Sequence, residues 1–145
     1  STLFPYTTLF RSERCTGQPG YALVGDLTFL HDLNALAIGR YDQRPDLTIV
    51  VLNDNGGGIF ALLEQGAAEH TASFERVFAT PVGADLSALC AGYHVPHTLV
   101  ESPAAFRTAL TPTPGLRVLE LRPNRTLLRD LHARLRAAIS DTALR

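Results

Sequence analysis

No apolar run in this sequence approaches the roughly 20 residues needed to cross a bilayer, and the amino-terminal stretch carries no basic, apolar and small-residue leader pattern. Membrane insertion and export are not expected, and the cytoplasm is the expected address. Excess charge is lacking too: 13 Lys and Arg stand against 14 Asp and Glu, a net charge of -1 that supplies no basic surface for nucleic acid. The 2 cysteines, Cys15 and Cys90, lie far apart and outside any CxxC or His-rich context, so neither a zinc site nor a disulfide framework is supported. Cys90 shares a helical face with Leu86, Leu89 and Tyr93 and reads as a buried structural thiol. There is no GxGxxG, no P-loop sequence, no HExxH and no GxSxG. His70, His94, His97 and His132 lack metal-ligand spacing, and no internal repeat or low-complexity segment is present.

What the sequence does hold is one domain's worth of chain, 145 residues with 46% apolar content, enough to bury a core. Short apolar runs alternate with helical patterns. Tyr21 to Val24, bounded by glycines, and the β-branched run Leu47 to Leu52 read as buried parallel strands. Between them, Phe29, Leu33 and Leu36, with Leu30 and Ala37, give Leu27 to Ile38 a helical spacing. Gly39 to Asp46 is a polar turn. Ile59 to Glu64 reads as the start of a helix, and Gln65 to Thr80 as a polar, weakly patterned segment. Asp85 to Tyr93 is a helix with Asp85 as its cap, His97 to Val100 a strand, Pro103 to Leu110 a helix, and Arg117 to Leu121 a strand. Thr126 to Ser140 closes the chain as an amphipathic helix with Leu127, Leu131, Leu135 and Ala138 on one face. The alternation predicts an α/β fold, a mainly parallel sheet with helices on both faces.

Two corners interrupt this pattern. Gly25-Asp26 follows the first strand, and Asn53-Asp54-Asn55-Gly56-Gly57-Gly58 follows the second. In a parallel sheet both lie at carboxyl ends of strands, the edge where open α/β folds hold ligands. Asp26 also opens a helix, where unpaired N–H groups favour anions. The three glycines permit φ > 0 and close backbone approach to a ligand, or make a flexible turn. Asn53, Asn55, Gly58 and Glu64 also fall at positions 1, 3, 6 and 12 of a calcium loop, but such a loop follows a helix and begins with Asp, so that reading is set aside. His31 reads as structural or solvated, with contact to a ligand as the alternative.

The paired corners resemble the thiamin-diphosphate and magnesium motif of thiamin-dependent enzymes, Gly-Asp-x and a later Asn-Asn or close variant. The wording around them, Gly25-Asp26-Leu27-Thr28-Phe29-Leu30-His31-Asp32 and Asn53-Asp54-Asn55-Gly56-Gly57-Gly58-Ile59-Phe60, is similar to the SEPHCHC synthase family of menaquinone biosynthesis. Leu27, where most thiamin enzymes carry glycine, and the Gly-Gly-Gly-Ile-Phe tail favour that family over the acetolactate synthase and decarboxylase types. The resemblance covers about Gly17 to Ile139, the carboxyl-terminal part of that enzyme. It implies thiamin diphosphate and Mg²⁺ or Mn²⁺ as cofactors, with Asp26, Asp54 and the Gly56 carbonyl as metal ligands; Asn53 and Asn55 remain alternatives to Asp54, since the family usually has Asn there. It implies cofactor contacts from Gly25, Asp26, Leu27, Asn53, Asn55, Gly57, Ile59 and Phe60, and substrate contacts from Ile59, Phe60 and Leu63, whose other reading is core packing. The implied substrates are 2-oxoglutarate, which loses carbon dioxide, and isochorismate, which receives the succinyl-semialdehyde unit. The implied activating glutamate lies in an amino-terminal domain of a second subunit, in a homodimer or dimer of dimers. This chain would then carry no catalytic side chain and be inactive by itself.

Ser1 to Ser12 resembles a translated sequencing adapter; as an edge strand it would be interrupted by Pro5. It is excluded from the fold, leaving 13–145 as a partial cofactor-binding domain with the natural protein continuing upstream. The remaining alternative is a non-catalytic α/β binding module with an accidental Asp-Gly corner.

Overall fold

Four short apolar runs form the strands of a parallel sheet in the computed structural model, which describes residues 17–143. They are β1 (Gly20–Gly25), β2 (Leu47–Leu52), β3 (His97–Leu99) and β4 (Arg117–Leu121), in the order β1-β2-β4-β3. Gly25 lies opposite Leu52, Leu52 opposite Leu121 and Leu99 opposite Glu120. The helices are α1 (Asp26–His31), α2 (Thr71–Phe74), α3 (Leu86–Gly92), α4 (Pro103–Ala109) and α5 (Leu128–Ala143). Within the described residues the chain divides into two compact units, one running to Asn53 and resuming over Ala84–Arg122, the other comprising Asp54–Gly83 and the chain from Pro123 onward. Ser1 to Ser12 and Cys15 lie outside the described residues.

In the first unit, side chains alternate across the sheet with the period of a strand. Ala22, Ile49, Val51 and Val118 turn to one face and pack with Phe29 of α1, Leu36, and Leu86 and Cys90 of α3. Val50 and Leu119 turn to the other and meet Val100, with Phe106 and Leu110 of and beside α4. Central β2 is buried on both faces, as its continuous β-branched run predicts. β1 departs from the expected buried strand. It is the edge of this sheet, and although Ala22 is buried, Tyr21 and Leu23 stay exposed.

The helices of this unit begin where the sequence places caps. The Asp85 carboxylate accepts from the Ala88 N–H at 3.0 Å, and the Ser102 hydroxyl from the Ala105 N–H at 3.1 Å, with Pro103 in the first turn. The helical run expected over Leu27 to Ile38 ends early. Asp32 takes φ -107°, ψ 22°, outside the helical region, and Leu33–Leu36 continues as a 3₁₀ turn.

The second unit holds the largest departures. Instead of a helix over Ile59 to Glu64 there are 3₁₀ turns at Gly58–Leu62 and Glu64–Gly66, separated by Leu63 in extended backbone. The segment after it is not irregular: 3₁₀ turn Ala68–His70, α2 and a π-helical turn at Glu75–Ala79 follow one another, ended by Thr80 at φ 42°. Phe74 and Ala79 are buried, and the Phe60, Phe74 and Phe78 rings neighbour one another at 5.9 and 6.2 Å. The closing helix forms as α5, preceded by a 3₁₀ turn at Arg125–Leu127. Its apolar stripe is not packed: Leu127, Leu131, Leu135 and Ile139 are all exposed. Among the described residues no helix is long and apolar enough to cross a membrane.

Candidate functional site

Parallel pairing of β1 with β2 carries Gly25 and Leu52 to the same edge of the sheet, so Asp26 and Asn53 are each the next residue beyond a carboxyl end. Asp26 is buried, only 4% exposed, and opens α1. A Cβ added at Gly25 would meet no atom within 4 Å, which leaves open space beside this corner. Leu27 is partly buried, and His31 is exposed at the end of α1.

Asn53 is fixed from two directions. Its N–H donates to the Leu121 carbonyl at 2.8 Å, extending the ladder by one bond, and its side-chain Nδ2 donates to Glu120 Oε1 at 2.7 Å. Glu120 is completely buried on the face that also holds Val118 and Val51. Arg122 Nε donates to Oε1 at 2.7 Å and Nη2 to Oε2 at 3.2 Å, while His97 Nε2 lies 2.9 Å from Oε2. Burial alone pushes such a carboxyl up; the hydrogen bonds of Arg122, Asn53 and His97 and the Arg122 charge outweigh it and hold Glu120 below its ordinary value. No motif in the sequence marks Glu120. The signal for it is a lone acid at an inward position of the apolar run Arg117–Leu121, together with a histidine and an arginine at flanking strand positions. Cys90 of α3 is buried as expected, and burial together with the Glu120 charge pushes its thiol up to about 11.

The rest of the second corner belongs to the second unit. Asn55 stands in the left-handed region at φ 60°, with its Oδ1 accepting from the Gly83 N–H at 2.9 Å. Of the three glycines only Gly56 has positive φ, at 132°. The space a side chain would take at these glycines is filled by the unit's own atoms: a Cβ at Gly56 would overlap the Ala79 carbonyl, and one at Gly58 the Asp54 carboxylate. Glycine is therefore required here by packing against the protein itself. The Gly56 carbonyl accepts from the Gly58 N–H at 3.0 Å. Ile59, Phe60 and Leu63, the candidates for cofactor and substrate contact, are exposed rather than packed in a core. Glu64, needed to close a calcium loop, is exposed as well, and the segment follows a strand.

The oxygen donors at each corner, taken by itself, are of the kind a hard cation accepts. Mg²⁺ is usually bound by one or two carboxylates and completed by phosphate oxygens and water, not by an all-protein cage. The first unit offers the Asp26 carboxylate, and the second offers the Asp54 carboxylate and the Gly56 carbonyl; among the described residues no cluster of three or more His, Cys, Asp or Glu is present. Asn53 Nδ2 and Asn55 Oδ1 are each engaged with protein partners.

The chain is 61% identical over 123 residues to the 2-succinyl-5-enolpyruvyl-6-hydroxy-3-cyclohexene-1-carboxylate synthase of Saccharopolyspora erythraea, an alignment covering 85% of this chain and 22% of that protein. It is 57% identical over 119 residues to the synthase of the same description from Rhodococcus erythropolis, covering 81% and 22%. No protein-family model matches. Among solved structures, the benzoylformate decarboxylase of Polynucleobacter necessarius superposes with a TM-score of 0.62 at 24% identity, over 81% of this chain and 22% of that one. A thiamine diphosphate-dependent 4-hydroxybenzoylformate decarboxylase of Rhodococcus jostii does so with a TM-score of 0.62 at 21% identity, with the same shares covered. These two likenesses establish the α/β fold.

Proposed function

Because the chain belongs to the 2-succinyl-5-enolpyruvyl-6-hydroxy-3-cyclohexene-1-carboxylate synthase family and spans 22% of the length of the curated relatives described above, we propose that it is the diphosphate- and metal-binding part of a thiamin-diphosphate-dependent transferase of menaquinone biosynthesis. The complete enzyme decarboxylates 2-oxoglutarate and adds the succinyl-semialdehyde unit to isochorismate, in the cytoplasm and as a homodimer or dimer of dimers. Thiamin diphosphate, when bound, supplies the electron sink for decarboxylation. The part of this chain is to bind and orient. The Asp26 and Asp54 carboxylates and the Gly56 carbonyl hold Mg²⁺ or Mn²⁺, and Gly25, Leu27, Asn53, Asn55 and Gly57 adjoin the diphosphate end of the cofactor. Ile59, Phe60 and Leu63 offer apolar contact to cofactor and substrate. The base that activates the cofactor comes from the family's amino-terminal domain, so the chain alone is inactive.

The observation that carries this reading is the register of β1 and β2, which brings the buried Asp26 and the start of the Asn53 corner to one sheet edge with open space at Gly25. The test is a calorimetric titration of thiamin diphosphate into family-length protein in the presence of Mg²⁺. Asp26→Ala weakens binding by more than about 100-fold, beyond the range typical of outer-shell partners, while Asp54→Asn, which keeps an oxygen ligand, retains it. Parental affinity in Asp26→Ala overturns the assignment.

A further inference from the structure

Three consecutive peptide planes set where the Gly56 carbonyl points, and a single side chain holds two of them. Arg125 Nη1 donates to the Asn55 carbonyl at 2.7 Å and to the Asp54 carbonyl at 3.4 Å. The third plane joins Gly56 to Gly57, whose N–H donates to the Ala79 carbonyl at 2.7 Å. No described peptide bond is cis, so the Gly56 C=O is directed opposite to that N–H, away from Ala79. The direction holds only if the chain enters Gly56 correctly, through Asn55 at φ 60° and Gly56 at φ 132°. Both are unusual backbone states: Asn tolerates the first better than most residues, and the second suits glycine. A backbone of this kind persists when its surroundings over-determine it, and the guanidinium on two successive carbonyls is part of that determination.

Arg125 is itself held. Its Nη2 pairs with the Glu75 carboxylate in the π-helical turn, its side chain is 16% exposed, and it follows Asn124, whose side chain caps the Arg125–Leu127 turn by accepting from the Thr126 N–H. A planar fork pre-organised by a carboxylate can span two acceptors at once, which the single ammonium of lysine does less well. All of these contacts lie within the second unit.

We propose that Arg125, anchored by Glu75, is the positioning residue of the metal corner, fixing the Asp54-Asn55 backbone so that the Asp54 carboxylate and the Gly56 carbonyl are presented to the cation. The inference rests on the reading of Asp54 and Gly56 as metal ligands. It assigns Arg125 no contact with cofactor or substrate; its effect passes through the loop.

The experiment uses family-length protein and three readouts: thiamin diphosphate affinity at fixed Mg²⁺, the Mg²⁺ concentration for half-maximal cofactor binding, and amide hydrogen exchange of residues 54–58 without cofactor. In Arg125→Ala, affinity falls by about tenfold or more, within the range typical of partners that orient metal ligands. The Mg²⁺ half-saturation rises, excess Mg²⁺ restores part of the affinity, and the loop amides exchange faster. Arg125→Lys gives an intermediate result. A residue that merely supports the fold would lower the melting temperature without moving the Mg²⁺ half-saturation. If Arg125→Ala does not fold, Glu75→Gln, which alters a half-exposed side chain, carries the test: a several-fold rise in Mg²⁺ half-saturation with faster loop exchange is expected, and no change in either overturns the proposal. Asp26→Ala serves as the control. Parental cofactor affinity in Asp26→Ala sinks the thiamin reading itself, whereas lost affinity there with parental behaviour in Arg125→Ala overturns only the role of Arg125.

Discussion

Glu120 shows two opposed electrostatic effects at one residue, with a measurable outcome. Complete burial disfavours its charge, and three hydrogen-bonding neighbours favour it by more, so its carboxyl titrates below the ordinary carboxylate value in the folded chain. A group whose folded value is depressed adds stability above its unfolded value and loses it as pH falls through the folded one. The melting temperature of the first unit is therefore expected to fall steeply as pH drops below the ordinary carboxylate value, and the fall should be shallower in Glu120→Gln. Gln keeps one oxygen for Asn53 but cannot accept both bonds from Arg122, so the variant is also less stable near neutrality, where the charge-assisted bonds from the half-exposed Arg122 to the buried carboxylate are lost. Scanning calorimetry of both proteins across acidic pH decides the matter: parallel profiles would mean that Glu120 does not contribute to the acid transition. Cys90 is the complementary case, since burial and the nearby Glu120 charge both favour the neutral thiol, and a thiol pushed up to about 11 is a packing group rather than a nucleophile. Cys90 could be read from helical spacing because burial follows apolar pattern. Glu120 could not, because what makes it a buried anion is Arg122, Asn53 and His97, brought to it by strand pairing.

Among the elements, the helix starts are the most legible, since a cap is a local device. The Asp85 carboxylate satisfies the Ala88 N–H of α3, so Asp85→Ala removes the cap. We expect a loss of about 1 kcal/mol, seen as a fall of about 5 °C in the unfolding of the first unit, with Asp85→Asn or Asp85→Ser restoring most of it. A loss near zero would mean that burial of Leu86 and Cys90 holds α3 without the cap. The strands of the sheet were legible for a related reason: β-branched runs between glycines and turns leave few other conformations. That both corners lie at carboxyl ends of strands was legible from the parallel alternation; the register that sets Gly25 opposite Leu52 comes from the structure. Residues 58–79 were not. Gly57, Gly66 and the extended Leu63 cut that stretch into turns too short to impose a period on the sequence, so neither a helical nor a strand spacing shows. The exposure of the α5 stripe was equally hidden, because periodicity identifies an apolar face and says nothing of what lies against it.

For the whole molecule, the two units differ in what holds them. The first buries Phe29, Ile49, Val51, Leu86 and Val118 on one face of its sheet and Val50 and Leu119 on the other, and each large buried side chain contributes about 1.5 to 3 kcal/mol. The second, among its described residues, buries Phe74 and Ala79 as its apolar core. It relies on short turns and on hydrogen bonds such as Arg125 to Asn55 and Arg129 to the Leu63 carbonyl at 2.6 Å. Ordering each backbone residue costs about 1 to 2 kcal/mol, so the second unit has less burial to offset that cost and should open locally well before the sheet does. Amide hydrogen exchange of the 145-residue chain is expected to show the slowest exchange in β2 and β4 and faster exchange throughout 58–79. Limited proteolysis should cut first in the same segment. Adding thiamin diphosphate with Mg²⁺ to family-length protein should slow exchange at 54–58 more than at β4, because a ligand that binds only the closed loop stabilises that local equilibrium. If 58–79 exchanges as slowly as β4 in the chain alone, its turns are held by more than the Phe74 and Ala79 core and the Arg125 and Arg129 bonds, and the lower stability assigned to the second unit is wrong.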